Sequence, residues 1–155
     1  MNIEYKLSVL KKIAYLFNEA SITYAVGASC LLYFKGITNH FNDLDIVVLE
    51  EDIFKAKEIL VTLGTLNPPK SNEGYKTRHF LEFVVEEVDV DIMAGFVIVN
   101  RGKDYDCSLK KEQIKEYSYI DEVCIPLHDV KLWREYYNLM GRENKVAIID
   151  NHLSK

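Results

Sequence analysis

The chain has 155 residues, a net charge of −5 and 48% hydrophobic residues, a composition typical of one globular domain. The acidic balance argues against a nucleic-acid surface as the main partner, because phosphate contacts need clustered Lys and Arg side chains. The longest apolar runs are far too short to cross a membrane. The three cysteines are widely spaced and form no CxxC pattern, which excludes a disulfide framework or zinc site and favours a reducing cytoplasm. We therefore expect a single cytoplasmic domain over residues 1–155.

The first half of the chain alternates helices with short strands. Apolar residues at steps of three and four predict amphipathic helices, and Val- and Ile-rich runs predict strands. Gly36 and Gly64 are typical helix stops. The predicted segments, in chain order, are a helix through Phe17, a strand at 24–26, a helix at 28–34, a strand at 44–49 and a helix at 53–63.

The second half is predicted to begin with a loop and a meander of strands and to end in helices. The segment 102–116 is polar and fits a loop or a helix, and 123–126 is predicted as an edge strand because Pro126 donates no hydrogen bond. The other segments are a loop at 67–74, strands within 79–99 with turns at Glu86-Glu87 and Ala94-Gly95, and helices at 129–140 and up to about 153, separated by Gly141. This order predicts an α+β fold: a mixed sheet covered mainly on one face, with a core at about 24–127 and closing helices at about 129–153.

Two carboxylates, Asp43 and Asp45, stand at the start of the 44–49 strand. Side chains two positions apart in a strand share a face, so these like charges would lie side by side. Their repulsion is relieved if a cation lies between them. The alternative is that Asn42-Asp43 is a turn signal and that Asp45 is a charge at the strand edge.

A second acidic strand offers a third carboxylate. Alternation over 88–93 places Asp89 and Asp91 on the face opposite the apolar side chains. If this strand lies beside the first, three carboxylates converge, as in a hard-oxygen site for Mg²⁺. A third Asp-x-Asp, Asp104 and Asp106, lies in the polar segment and is interpreted as a solvated loop. A single Asp-x-Asp motif is common by chance, so the functional interpretation depends on the order of the motifs along the chain.

The turn Gly27-Ala28-Ser29 opens the helix at 28–34. Small residues leave the first backbone N–H groups of a helix free, which suits a phosphate group. The alternative for Ser29 is that its side chain simply caps the helix. A phosphate site beside a divalent-cation site is typical of enzymes that handle nucleotides.

In this order the motifs resemble the nucleotidyltransferase superfamily, whose members have a polymerase-β-like palm. The resemblance rests on Gly27-Ala28-Ser29, on Asp43-Leu44-Asp45 and on Asp91. The segment 128–143 also resembles the closing helices of small stand-alone members of the minimal or antibiotic type. The match covers about 24–145, and Ala28 departs from it because Gly or Ser is usual there.

The resemblance implies Mg²⁺-dependent transfer of a nucleoside monophosphate from an NTP to a hydroxyl group, with release of pyrophosphate. Asp43 and Asp45 would hold Mg²⁺, and Asp91 would bind a second Mg²⁺ and help deprotonate the acceptor. Asp91 is favoured over Asp89 because the family's acid directly precedes the apolar end of its strand. Lys145 is a further candidate for the triphosphate, and the implied nucleotide-binding residues are Gly27, Ala28, Ser29 and Arg142.

Several alternatives remain open in the sequence. The acceptor would be a small hydroxylated molecule such as an aminoglycoside or lincosamide, with tRNA or a protein less favoured, and a homodimer or a partner protein would complete the site. Arg142 also fits a solvated helix start, and Trp133 fits core packing. A different function class is a non-catalytic nucleotide-binding or interaction module, for instance a toxin–antitoxin component. The third reading is an α+β domain whose acids are incidental.

Overall fold

The computed structural model describes residues 2–70 and 75–155, so the predicted loop at 67–74 lies partly outside the described residues. The described helices are α1 (Ile3–Glu19), α2 (Ala28–Phe34), α3 (Ile53–Leu63), α4 (Val130–Leu139) and α5 (Glu143–Leu153). The strands are β1 (Tyr24–Val26), β2 (Leu44–Val48), β3 (Thr65–Leu66), β4 (His79–Val85), β5 (Val88–Ala94), β6 (Val97–Asn100), β7 (Lys103–Asp106), β8 (Glu116–Ile120) and β9 (Val123–Leu127).

Seven of these strands form one mixed sheet in the order β3-β4-β5-β2-β1-β9-β8, while β6 and β7 pair separately. The central pair, β2 and β5, is parallel, and its neighbours β1 and β4 are antiparallel to it. The predicted α+β fold with a mixed sheet and closing C-terminal helices is confirmed. None of the helices in the described residues is long and apolar enough to span a membrane.

A tight turn fixes the register of the β4–β5 hairpin. Glu86 and Glu87 have φ angles of 49° and 70°, so both residues are left-handed, as in the type I′ turns that suit hairpins. Val85 therefore pairs with Val88, and counting back along both strands pairs Glu82 with Asp91. The predicted turn at Glu86-Glu87 is confirmed, and it decides which side chains face each other across the hairpin.

The core lies between the sheet and the helices that pack against it. Helix α1 packs against α3, β8 and β9, and α3 also packs against β4. Along β5, Val88, Val90 and Ile92 are buried, whereas Asp89 is exposed and Asp91 is half-buried. The predicted alternation is confirmed: one face of the strand belongs to the core and the other carries the acids.

Two local predictions were wrong. Strand β9 is internal, since it lies between β1 and β8. Pro126 is tolerated there because β1 is short and pairs with β9 only at Val26 and Leu127, next to a bond from His128 N to Val26 O. The polar segment 102–116 contains strand β7, so the pair Asp104 and Asp106 lies on a strand rather than in a loop.

Candidate active site

A cleft of about 390 Å³ opens on the acidic side of the central strands. It lies within the size range of small-molecule sites. Its walls come from the first turn of α2, the start of β2, the acidic face of β5, the loop before β4, and α4 with the residues that follow it. The residues that line it are Ala28, Ser29, Asn42, Asp43, Asp45, Tyr75, Thr77, Phe80, Asp91, Met93, Phe96, Trp133, Tyr137, Met140 and Arg142.

The residues predicted for the site from sequence gather in this cleft. Ala28, Ser29, Asp43, Asp45, Asp91 and Arg142 all line it. Gly27 does not line the cleft; it precedes Ala28 in the chain and is the N-cap of α2. The parallel pairing of β2 with β5 accounts for the convergence, because it joins segments almost fifty residues apart in sequence.

The carboxylates form a row across three adjacent strands. Asp45 and Asp91 are direct partners in the parallel pair, and Glu82 is the partner of Asp91 in the antiparallel hairpin. Directly opposed residues project from the same face of a sheet, with backbones about 5 Å apart. Asp43 precedes β2 by one residue and lines the same cleft. We call Asp43, Asp45, Glu82 and Asp91 the acidic row.

Burial and mutual repulsion make Asp43, Asp45 and Asp91 costly to ionise. Burial, followed by the charges of Asp91 and Asp43, raises the pKa of Asp45 well above its ordinary value. Burial and the neighbouring carboxylates, Asp43 foremost, raise the pKa of Asp91 to about 7. The pKa of Asp43 is raised for the same reasons. These carboxylates therefore repel one another, and a bound cation would relieve that repulsion.

The donor chemistry of the acidic row fits Mg²⁺, which prefers carboxylate oxygens. Among the described residues, no three His, Cys, Asp or Glu side chains are close enough together to hold a metal ion as they stand. Like charges repel, so carboxylates in such a row are expected to point apart until a cation draws them together. The set Asp43, Asp45 and Asp91 therefore remains a prediction, supported by strand register and by the raised pKa values.

The turn at the start of α2 is shaped by one close contact and one left-handed residue. A Cβ atom on Gly27 would lie 2.5 Å from Cζ2 of Trp133, so only glycine fits beneath the indole ring. Ala28 has a φ of 51°, where glycine is preferred. Helix α2 has seven residues, so its dipole is a weak source of phosphate affinity and the neighbouring side chains matter more.

Two cationic side chains lie beside this turn. Lys145 Nζ donates to Ser29 Oγ at 3.1 Å and opposes the rise in the pKa of Asp45. Burial and the nearby Arg142 lower the pKa of Lys145 itself. The Arg142 guanidinium is exposed and lies 5.6 Å from the ring centroid of Tyr137. Ser29 and Arg142 therefore line the same cleft as Asp43, Asp45 and Asp91, and Lys145 bonds to Ser29.

An aromatic wall completes the cleft. Trp133 stacks on Phe96 with ring centroids 5.9 Å apart, and Phe96 stacks on Tyr75. Trp133 Nε1 donates to His128 Nδ1 at 2.8 Å, while His128 Nε2 faces Gln113 Oε1 at 3.1 Å. His128 thus accepts through Nδ1 and carries its proton on Nε2, and burial lowers its pKa to about 4. A neutral histidine holds the tryptophan that packs over Gly27.

Most of the predicted site residues line the cleft, and other residues near them were not predicted from the sequence. Glu82 was missed, although the predicted Glu86-Glu87 turn implies its pairing with Asp91. Trp133 packs in the core as expected but also lines the cleft, as does Tyr137. Asp104 and Asp106 lie outside the cleft lining and pair with Lys76 and Arg78.

The fold has relatives among solved structures. The chain aligns with a Thermotoga maritima protein provisionally assigned as a nucleotidyltransferase, with a TM-score of 0.77, 21% identity and coverage of 99% of this chain and 96% of that one. This chain has the nucleotidyltransferase fold. It matches no protein-family model and no curated protein.

Two further structures share this nucleotidyltransferase fold and were solved with small molecules bound. One is ANT(2″)-Ia in complex with adenylyl-2″-tobramycin, with a TM-score of 0.65, 10% identity and coverage of 96% of this chain and 90% of that one. The other is the lincosamide antibiotic adenylyltransferase LnuA bound to lincomycin, with a TM-score of 0.62, 15% identity and coverage of 92% and 95%. At these identities the likeness establishes the fold, and the activity has to be argued from the site.

Proposed function

We propose that this protein transfers a nucleoside monophosphate from an NTP to a hydroxyl group, with Mg²⁺ as cofactor and pyrophosphate as the leaving group. The observation that carries the proposal is the register that pairs Asp45 with Asp91 inside a cleft that Ser29 and Arg142 also line, with Lys145 bonded to Ser29. An acidic side for a metal and a basic side for a triphosphate are the two requirements of this chemistry.

The residues divide the work by position. Asp43 and Asp45 would hold Mg²⁺, which when bound neutralises the triphosphate and activates its α-phosphorus. Ser29, Lys145 and Arg142 would bind the β- and γ-phosphates, beside the turn formed by Gly27 and Ala28. These cations would also stabilise the pyrophosphate as it leaves.

Asp91 would assist the acceptor as well as complete the metal site. In the proposed reaction, the acceptor oxygen forms a bond to the α-phosphorus while the bond to pyrophosphate breaks. The hydroxyl proton would pass to the Asp91 carboxylate, which bound Mg²⁺ would keep ionised by offsetting the repulsion of the neighbouring carboxylates. Catalysis then comes mainly from positioning and from charge neutralisation.

The cleft favours a small acceptor. Its volume of about 390 Å³ and its mixed lining of carboxylates, aromatic rings and methionines suit a hydroxylated molecule that carries positive charge. Two structural neighbours were solved with small molecules bound, adenylyl-2″-tobramycin in one and lincomycin in the other. The net charge of −5 argues against tRNA as the acceptor.

The test is release of pyrophosphate from each of the four common NTPs in the presence of Mg²⁺ and a panel of acceptors. The panel holds an aminoglycoside, a lincosamide and tRNA. We expect release with at least one combination, loss of release in Asp45→Asn, and normal release in the control Asp104→Asn. Equal rates in the wild type and Asp45→Asn would overturn the proposal.

A further inference from the structure

Lys6 lies on the buried face of α1, where the periodicity of the helix otherwise places apolar residues. It shares the buried stripe of the helix with Val9, Leu10 and Ile13, and only 8% of the residue is exposed. Burying an ammonium group is costly unless hydrogen bonds or charges compensate. The nearby lysines of the same helix, Lys11 and Lys12, are exposed and form surface ion pairs. The position of Lys6 therefore calls for a specific contact.

That contact is the backbone of the loop that leads into β2. Lys6 Nζ donates to the carbonyl oxygen of Phe41 at 2.9 Å and lies 5.7 Å from the centroid of the Phe41 ring. The ring is buried and packs edge-on against Tyr33, with centroids 5.3 Å apart. Both the side chain and the carbonyl of Phe41 are thus fixed by groups remote in sequence.

Phe41 precedes Asp43 by two residues, so its placement sets the path of the chain into the acidic row. The other side-chain hydrogen bonds described in this loop are local, from Thr38 to His40 and from His40 to Asn42. The bond from Lys6 spans 35 positions in sequence and ties the loop to α1.

We propose that Lys6 is a positioning residue: by holding the Phe41 carbonyl it fixes Asp43 within the acidic row and raises the affinity of the site for a divalent cation. The metal half of this inference rests on the proposed function. The anchoring half concerns only the loop and can be tested on the metal-free protein.

The positive charge of Lys6 and its bond to the Phe41 carbonyl should have opposite effects on the affinity of the site for a metal ion. Burial and the Asp89 carboxylate raise the pKa of Asp43, while the Lys6 charge lowers it. A nearby positive charge on its own repels a metal ion, so its removal should tighten metal binding. Loss of the anchor should weaken metal binding. The sign of the change in metal affinity therefore shows which effect dominates.

The experiment compares the wild type with Lys6→Met, which keeps most of the length of the side chain and removes its charge and its donor. Lys12→Met is the matched control on the same helix. Hydrogen–deuterium exchange of residues 37–43 is measured without metal, and the affinity for Mn²⁺ alone is measured by electron paramagnetic resonance. We expect Lys6→Met to exchange faster in this loop and to bind Mn²⁺ about tenfold more weakly, which corresponds to about 1.4 kcal/mol.

The outcomes are separable. Unchanged exchange in Lys6→Met, or Mn²⁺ binding as tight as in the wild type, overturns the inference, as does an equal change in Lys12→Met. A wild type that binds no Mn²⁺ overturns the proposed function and the metal half, while the exchange data still decide whether Lys6 anchors the loop. If Lys6→Met does not fold, Lys6→Gln, which stays polar but cannot reach the carbonyl, is held to the same criteria.

Discussion

Replacing Asp91 by Asn should stabilise the metal-free protein at neutral and alkaline pH. The carboxyl has a pKa of about 7 in the folded state, against about 3.9 in an unfolded chain. A shift of about three units corresponds to about 4 kcal/mol, and we halve it because the side chain is partly solvated, which leaves about 2 kcal/mol. Asparagine keeps the shape of the side chain and removes the repulsion.

The sign of the pH dependence follows from the same pKa values. Between about pH 4 and pH 7 the folded state binds the proton that the unfolded state has released, so the wild type loses stability as pH rises. The gap between Asp91→Asn and the wild type should therefore widen up to about pH 7 and stay constant above it. Since a domain of this size gains about 2–4 °C per kcal/mol, the gap predicts a rise in melting temperature of about 4–8 °C at pH 8.

The assay is thermal unfolding in EDTA at pH 5 and pH 8 for the wild type, Asp91→Asn and the exposed control Asp104→Asn. Saturating Mg²⁺ should then stabilise the wild type and leave Asp91→Asn almost unchanged. An Asp91→Asn protein that is less stable than the wild type at pH 8 in EDTA would refute the argument from repulsion.

Three further predictions concern the turn and its aromatic cover. Because burial lowers the pKa of His128 to about 4, the wild type should lose about 3 kcal/mol between pH 6.5 and pH 4, and urea titrations of His128→Gln should lack this loss. Gly27→Ala should lower the free energy of unfolding by about 2 kcal/mol, because its Cβ meets the Trp133 ring, and chemical denaturation measures this. Ala28→Gly should raise the free energy of unfolding by up to about 1 kcal/mol in the same assay, because glycine adopts the left-handed conformation of this position without strain. An unchanged free energy of unfolding would contradict the assigned turn.

Local patterns predicted the elements well because each is dictated by neighbouring residues. The start of α2 after Gly27, the Glu86-Glu87 turn and the break at Gly141 all follow from short-range backbone preferences. The acidic face of β5 follows from its alternation. These signals are complete within about ten residues of sequence, so no tertiary information is needed to read them.

The pairing of strands that are far apart in the chain could not be predicted from the sequence pattern. Nothing in either strand states that β2 runs parallel to β5, so the pairing of Asp45 with Asp91 could be expected only from resemblance. The prediction that 123–126 is an edge strand was wrong. It rested on the missing N–H donor of Pro126, and the sequence does not show that β1 pairs with β9 at only one position. The buried position of Lys6 was also invisible, since a lysine on a helix is usually solvated.

The proposed nucleotide site joins the acidic row, which would hold Mg²⁺, to Ser29, Lys145 and Arg142, which would bind the triphosphate. The most direct measurement is calorimetric titration of each NTP into the wild type and Asp45→Asn, with and without Mg²⁺. The account predicts saturable binding of at least one NTP that requires Mg²⁺ and is lost in Asp45→Asn. Folded wild-type protein that binds no NTP, or binding that is the same in Asp45→Asn, would contradict it.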